Sequence, residues 1–130
     1  MRIFFDVDHT ILNSSGDDWV LRPGTAEVMA ALKAMGHDLY MWSATGLPHC
    51  ERVIGRYGLT PFITEAFEKS PSPPIFPEII IDDDDYLVGM YSGVWVSAYR
   101  DPDPADRELF RALETVRVWT QAMNSARVGG

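Results

Sequence analysis

Hydrophobic and polar positions fall into two alternating kinds of run. Residues 2–5 form a short, nearly continuous apolar stretch of strand formers, and "LYMW" at 39–42, "EIIID" at 78–82 and "GVWVSAY" at 93–99 repeat the pattern. Such runs predict strands covered on both faces. Between them, Val28, Leu32 and Met35 recur at helical spacing, which predicts a helix over about 25–35, with Thr25 placed to cap its start and Gly36 to close its end. Pro48 opens a second helix, whose Cys50, Val53, Ile54 and Tyr57 make one apolar face ahead of Gly58. Leu109, Leu113 and Val116, flanked by Phe110, mark a terminal helix to about residue 122, and residues 124–130 read as a flexible tail.

Other segments lack either period. "ILNSSGDDWVLRPG" sets turn formers between apolar flanks and predicts a hairpin or flap over about 11–22. "PFITEAF" reads as a strand or an irregular edge. "KSPSPPIFP", with four prolines in residues 69–77, fits neither helix nor central strand and predicts an extended loop.

Strands alternating with helices imply right-handed βαβ units. The expected class is therefore α/β, a three-layer α/β/α sandwich around a Rossmann-like, mostly parallel sheet. With 130 residues and 46% hydrophobic content, a single domain spanning 1–130 is expected.

Nineteen acidic residues against eleven basic ones give a formal charge of −8, so no general attraction to nucleic acid or an anionic membrane surface is expected. No apolar stretch reaches membrane-spanning length and the N-terminus lacks a secretory pattern, so a cytoplasmic location is expected. The single cysteine, Cys50, fits a reducing compartment and reads as a buried structural thiol.

Chemistry enters at the strand ends. Three of the four apolar strands finish in polar residues, Asp6, Ser43 and Asp82, and an open parallel sheet binds ligands beyond the carboxyl ends of its strands. Asp6 and Asp8 lie two apart, which directs both carboxylates toward one cavity. One can attack phosphorus while the other protonates the leaving oxygen and later deprotonates water. A phosphate dianion meeting two carboxylates is opposed by several kcal/mol at about 4 Å and an effective dielectric of roughly 20. A divalent cation held by Asp6 and an aspartate of the Asp82–Asp85 run would cancel that repulsion, and oxygen-only ligation points to Mg²⁺. Lys69 would add positive charge, and Ser43 a hydrogen bond to a phosphoryl oxygen.

Each residue also has a plainer reading. Aspartates favour turns after strands, part of "DDDD" reads as a solvated acidic turn, and Lys69 has Arg52 and Arg56 as substitutes. Ser43 and Thr10 also suit turn or loop-backbone bonding, and His9 reads as loop packing. Trp42 and Trp95 are expected in the core, and Trp19, on the flap, is expected to contact a ligand or partner.

In order along the chain, "DVDHT", "YMWS", Lys69 and "IIIDD" resemble the four motifs of the haloacid dehalogenase superfamily of phosphohydrolases. The resemblance implies Asp6 as nucleophile, Asp8 as general acid/base and Lys69 as the stabilising cation. It implies a phosphate contact at Ser43, with Thr10 and Ala44 beside it on the substrate side. It implies Mg²⁺ bound by Asp6, the backbone carbonyl of Asp8, and Asp82 or Asp83. His9 stands where the family commonly has glycine. Neither gap between motifs is long enough for the family's inserted cap domain, so the implied enzyme is capless, with an open site for a small or macromolecular phosphorylated substrate, or one roofed by a second subunit in a homodimer. A phosphoacceptor domain is a rival, but there an adjacent acidic pair comes first, whereas here a spaced pair does. A non-catalytic Mg²⁺-binding regulatory protein is another.

Overall fold

The computed structural model describes residues 1–129. Its main sheet has five parallel strands, β1 (Arg2–Asp6), β4 (Asp38–Ser43), β5 (Ile63–Glu68), β6 (Ile79–Asp82) and β7 (Gly93–Trp95), in the order β5-β4-β1-β6-β7. The apolar runs are continuous because each strand is covered twice. Ile3, Phe5, Leu39, Met41, Ile79 and Ile81 pack on one face beneath α1 (Thr25–Ala34), α2 (Leu47–Arg56) and α4 (Glu108–Gly129). Phe4, Tyr40, Trp42, Phe67 and Ile80 face the other way, beneath α3 (Asp85–Tyr91) and Ile75 of the proline loop. The three-layer Rossmann-like sandwich is thus in place, with its second outer layer thinner than its first.

The chain leaves β1 for β4 and β5 in one direction, and leaves β6 for β7 in the other. The reversal falls between β1 and β6, whose ladder pairs Ile3, Phe4 and Phe5 with Ile79, Ile80 and Ile81. Asp6 and Asp82 come one step beyond the last pair. A crevice at such a reversal is where open α/β sheets place their ligands. Gly93 lets β7 lie close against β6, since a Cβ there would collide with the carbonyl oxygen of Ile80.

Between β1 and α1 the chain forms only a small antiparallel hairpin, β2 (Leu12–Asn13) with β3 (Val20–Leu21), around exposed Asp17 and Asp18. Between Ser43 and Lys69 lie only α2 and β5.

Several elements differ from the sequence-based expectation. α3 was not expected, because it is short and buries none of its side chains. β7 stops at Trp95, and Trp95 is 46% exposed rather than in the core, its indole N–H donating to the carbonyl of Asp83. Thr25 does not cap α1. Gly24 occupies that position, and the Thr25 hydroxyl turns back to donate to the carbonyl of Arg22. α4 continues to Gly129 instead of ending near 122, so the expected tail at 124–129 is helical, and Gly130 lies outside the described residues. "PFITEAF" resolves into an edge strand, whose Thr64, Glu65 and Glu68 are exposed, as suits an edge. Among the described residues, no helix is long and apolar enough to cross a membrane.

Candidate active site

Strand alternation explains which side chains meet. Phe4 and Asp6, Phe67 and Lys69, and Ile80 and Asp82 each lie two residues apart, so the three polar tips emerge on the α3 side of the sheet. Lys69 is brought in by a backbone bond from its N–H to the carbonyl of Ser43, which carries the β4–β5 pairing one residue beyond Glu68. Its Nζ then reaches Oδ1 of Asp6 at 3.0 Å and Oδ2 of Asp82 at 2.9 Å.

Asp6, Asp82 and Asp83 offer carboxylate oxygens that all lie within 4.8 Å of one another. Asp82 is fully buried and Asp6 is 7% exposed. Three carboxylates around one ammonium leave the group short of positive charge. Burial pushes the Asp6 carboxyl up to about 8, with the neighbouring Asp82 charge adding to the rise and Lys69 opposing it. Burial also raises Asp82, against the pull of Lys69. For Lys69, burial works against the charge, but Asp6 and Asp82 outweigh it and hold the ammonium above its usual range. An all-oxygen set of this charge suits a hard divalent cation such as Mg²⁺.

The four consecutive aspartates divide their work. Asp82 and Asp83 join the cluster. Asp84 caps α3, its Oδ1 accepting from the N–H groups of Tyr86 and Leu87. Asp85 sits exposed in the first helical turn, where a negative charge complements the helix dipole.

Thr10 is completely buried. Its hydroxyl lies 2.9 Å from Oδ2 of Asp6 and 3.2 Å from Oδ1 of Asp83, and it accepts the N–H of Asp83 at 3.1 Å. Those contacts tie its hydroxyl to the carboxylate cluster. Ser43 Oγ accepts the N–H of Thr45 at 3.0 Å and still carries a proton to donate. Ala44 is exposed beside it.

Asp8 points elsewhere. Its carboxylate accepts from Ser14 at 2.7 Å and Thr45 at 3.0 Å, and contacts Nε2 of His49 at 3.1 Å. Burial pushes this carboxyl up, but the bonds from Ser14, His49 and Thr45 prevail and hold it below the ordinary range. The Asp8 side chain is not part of the Asp6–Asp82–Asp83 group. The turn that follows Asp8 is tight, with the N–H groups of Thr10, Ile11 and Leu12 all converging on the carbonyl of Val7. His9 takes a left-handed conformation there, φ 65°, which costs glycine least and explains why glycine suits this place.

His49 is the site residue that the sequence patterns did not single out. It sits in the first turn of α2, only 6% exposed, with Trp19 edge-on at 5.4 Å and the Arg56 guanidinium 5.1 Å from that indole. Trp19 is accordingly half-buried against α2 rather than free on the flap. The only available signal was position, since the first turn of a helix following a strand opens onto the sheet's carboxyl edge. On the phosphatase reading proposed below, replacing His49 by Ala is expected to lower kcat by about 10- to 100-fold with little change in KM, because Asp8 loses its orientation. His49→Gln, which keeps a donor, is expected to recover much of the loss; equal losses in both variants would contradict a positioning role.

Cys50 is buried, and burial pushes its thiol up to about 12, which leaves it inert.

No family model matches the chain, and no curated protein matches it in sequence. Among solved structures, it is similar to an uncharacterized protein from Listeria monocytogenes serotype 4b, with a TM-score of 0.68 over 92% of this chain and 98% of that one, at 14% identity. That likeness shows a shared α/β sandwich fold.

Proposed function

We propose that this chain is a capless, Mg²⁺-dependent phosphatase that hydrolyses a phosphomonoester through an aspartyl-phosphate on Asp6, in the manner of the superfamily its motifs resemble. The observation that carries the reading is Lys69 bridging Asp6 and Asp82 inside a three-carboxylate cluster, at the point where the sheet reverses direction.

Asp6, Asp82 and Asp83 would hold the cation, with the backbone carbonyl of Asp8 as the further ligand that the resemblance implies. When bound, Mg²⁺ would offset the carboxylate charge and polarise a phosphoryl oxygen. The chain's own groups do the rest. Lys69 steadies the Asp6 carboxylate and draws the phosphate in. An Asp6 oxygen attacks phosphorus, the ester P–O bond breaks, and Asp8 gives the departing alkoxide its proton. Asp8 then takes a proton from water, which attacks phosphorus and releases Asp6 and inorganic phosphate. The bonds that keep Asp8 ionised suit the second step, and the negative charge of the arriving phosphate raises its proton affinity for the first.

The test is metal dependence across a panel of simple phosphomonoesters. Hydrolysis is expected to disappear in EDTA and return when Mg²⁺ is restored. Turnover that survives EDTA would remove the cation from the reaction.

A further inference from the structure

Beside the cluster, on the α3 face of the sheet, lies an open cavity of about 380 Å³. Trp42, Pro71, Tyr86, Leu87, Met90 and Tyr91 form most of its wall, and Lys69 is its one charged lining residue. Resting on the phosphatase reading above, we propose that this cavity receives the alcohol portion of the phosphomonoester, and that this portion is a small aromatic group.

Three observations converge on that occupant. Lys69 lines the cavity and also bonds Asp6 and Asp82, so the cavity opens directly beside the carboxylate cluster where the phosphate would react. Apart from Lys69, Ser70 and the hydroxyls of Tyr86 and Tyr91, the wall offers mainly flat aromatic and thioether surface, which suits a ring better than a sugar or a polyphosphate. A volume of that size stands at the low end for small-molecule sites, roughly 300–1,000 Å³, which suits one or two rings.

Trp42 adds a polar handle. It is 1% exposed, its ring lies 5.5 Å from the Lys69 ammonium, and its indole N–H is buried without an acceptor among the described residues. Buried indole N–H groups ordinarily have a partner. Tyr86 and Met90, 72% and 60% exposed, lie on the outer side of α3, away from the partly buried Leu87 and Val88, so they leave one side of the cavity open for the group to enter.

The experiment compares 2-(1-naphthyl)ethyl phosphate with propyl phosphate. Both are primary alkyl esters of similar leaving-group acidity, so the ratio of their kcat/KM values reads recognition rather than reactivity. The naphthyl ester is expected to be favoured by at least about tenfold, mainly through KM. Met90→Asp, at an exposed position where folding is not at risk, is expected to bring the ratio toward one. A ratio near one in the wild-type protein, or one that Met90→Asp leaves unchanged, would overturn the assignment while leaving the phosphatase reading intact. If neither ester is hydrolysed, the phosphatase reading fails and binding decides about the cavity. Titration with 2-(1-naphthyl)ethanol is expected to shift the NMR signals of the Met90 methyl and the Trp42 indole N–H; no shift at millimolar alcohol would overturn it.

Discussion

Asp6→Asn is expected to lower phosphatase turnover by at least about 10⁴-fold while the protein stays folded. The two side chains have nearly the same shape, and an asparagine oxygen can still accept from Lys69 or Thr10, which contact Asp6 at 3.0 and 2.9 Å. What the change removes is the nucleophile, since an amide oxygen is far less reactive toward phosphorus than a carboxylate. Initial rates on a phosphomonoester, set beside circular dichroism of both proteins, make the check. Activity within tenfold of wild type would mean that Asp6 does not attack phosphorus.

Arg22→Ala is expected to be the most damaging single change to stability. Arg22 is 1% exposed, and its guanidinium gathers three segments. It makes a two-pronged pair with Asp106 at 2.8 and 3.0 Å, donates to the carbonyls of Thr10 at 3.1 Å and Ser97 at 2.8 Å, and lies 5.1 Å from the ring of Tyr99. Truncation strands the largely buried Asp106 carboxylate and two carbonyls together. Breaking a buried pair from one side costs about 3–5 kcal/mol, against a total stability of roughly 5–15 kcal/mol for a domain. Urea unfolding should show the unfolding free energy falling by that amount or the native state lost. Arg22→Lys should recover little, because an ammonium cannot reproduce the fork. A loss below about 1 kcal/mol would show that the network is not needed. Thr10 belongs to the loop that ties Asp6 to Asp83, so a partly folded Arg22→Ala protein should also lose activity.

These residues show what the sequence could and could not reveal. Uninterrupted apolar runs disclosed β1, β4 and β6 because both sheet faces are covered, and their polar ends marked Asp6 and Asp82. The two-residue spacing of Asp6 and Asp8 did not bring both carboxylates into one group, because Asp8 lies past the strand end and its carboxylate is held by Ser14, Thr45 and His49. Prolines 71, 73, 74 and 77 marked the crossover loop by excluding regular structure. The same logic failed where packing is thin. α3 buries none of its side chains, so it left no periodic signal, and its capping aspartate was hidden inside an acidic run that also serves the cluster. Trp95 was misplaced because a three-residue edge strand gives alternation too little length to assign a face. Arg22 and His49 were silent for another reason. Their roles depend on segments 84 and 41 positions away in the chain, Asp106 and Asp8, and no local pattern encodes which distant group a buried polar side chain will meet.

The most direct test of the central claim is capture of the phosphoenzyme. The protein is mixed with substrate and Mg²⁺, quenched in acid, and treated with borohydride, which reduces an aspartyl-phosphate to homoserine. Peptide mass spectrometry is expected to find homoserine at position 6 alone, and none in Asp6→Asn or in EDTA. Homoserine at another aspartate, or its formation at position 6 without substrate, would contradict the account.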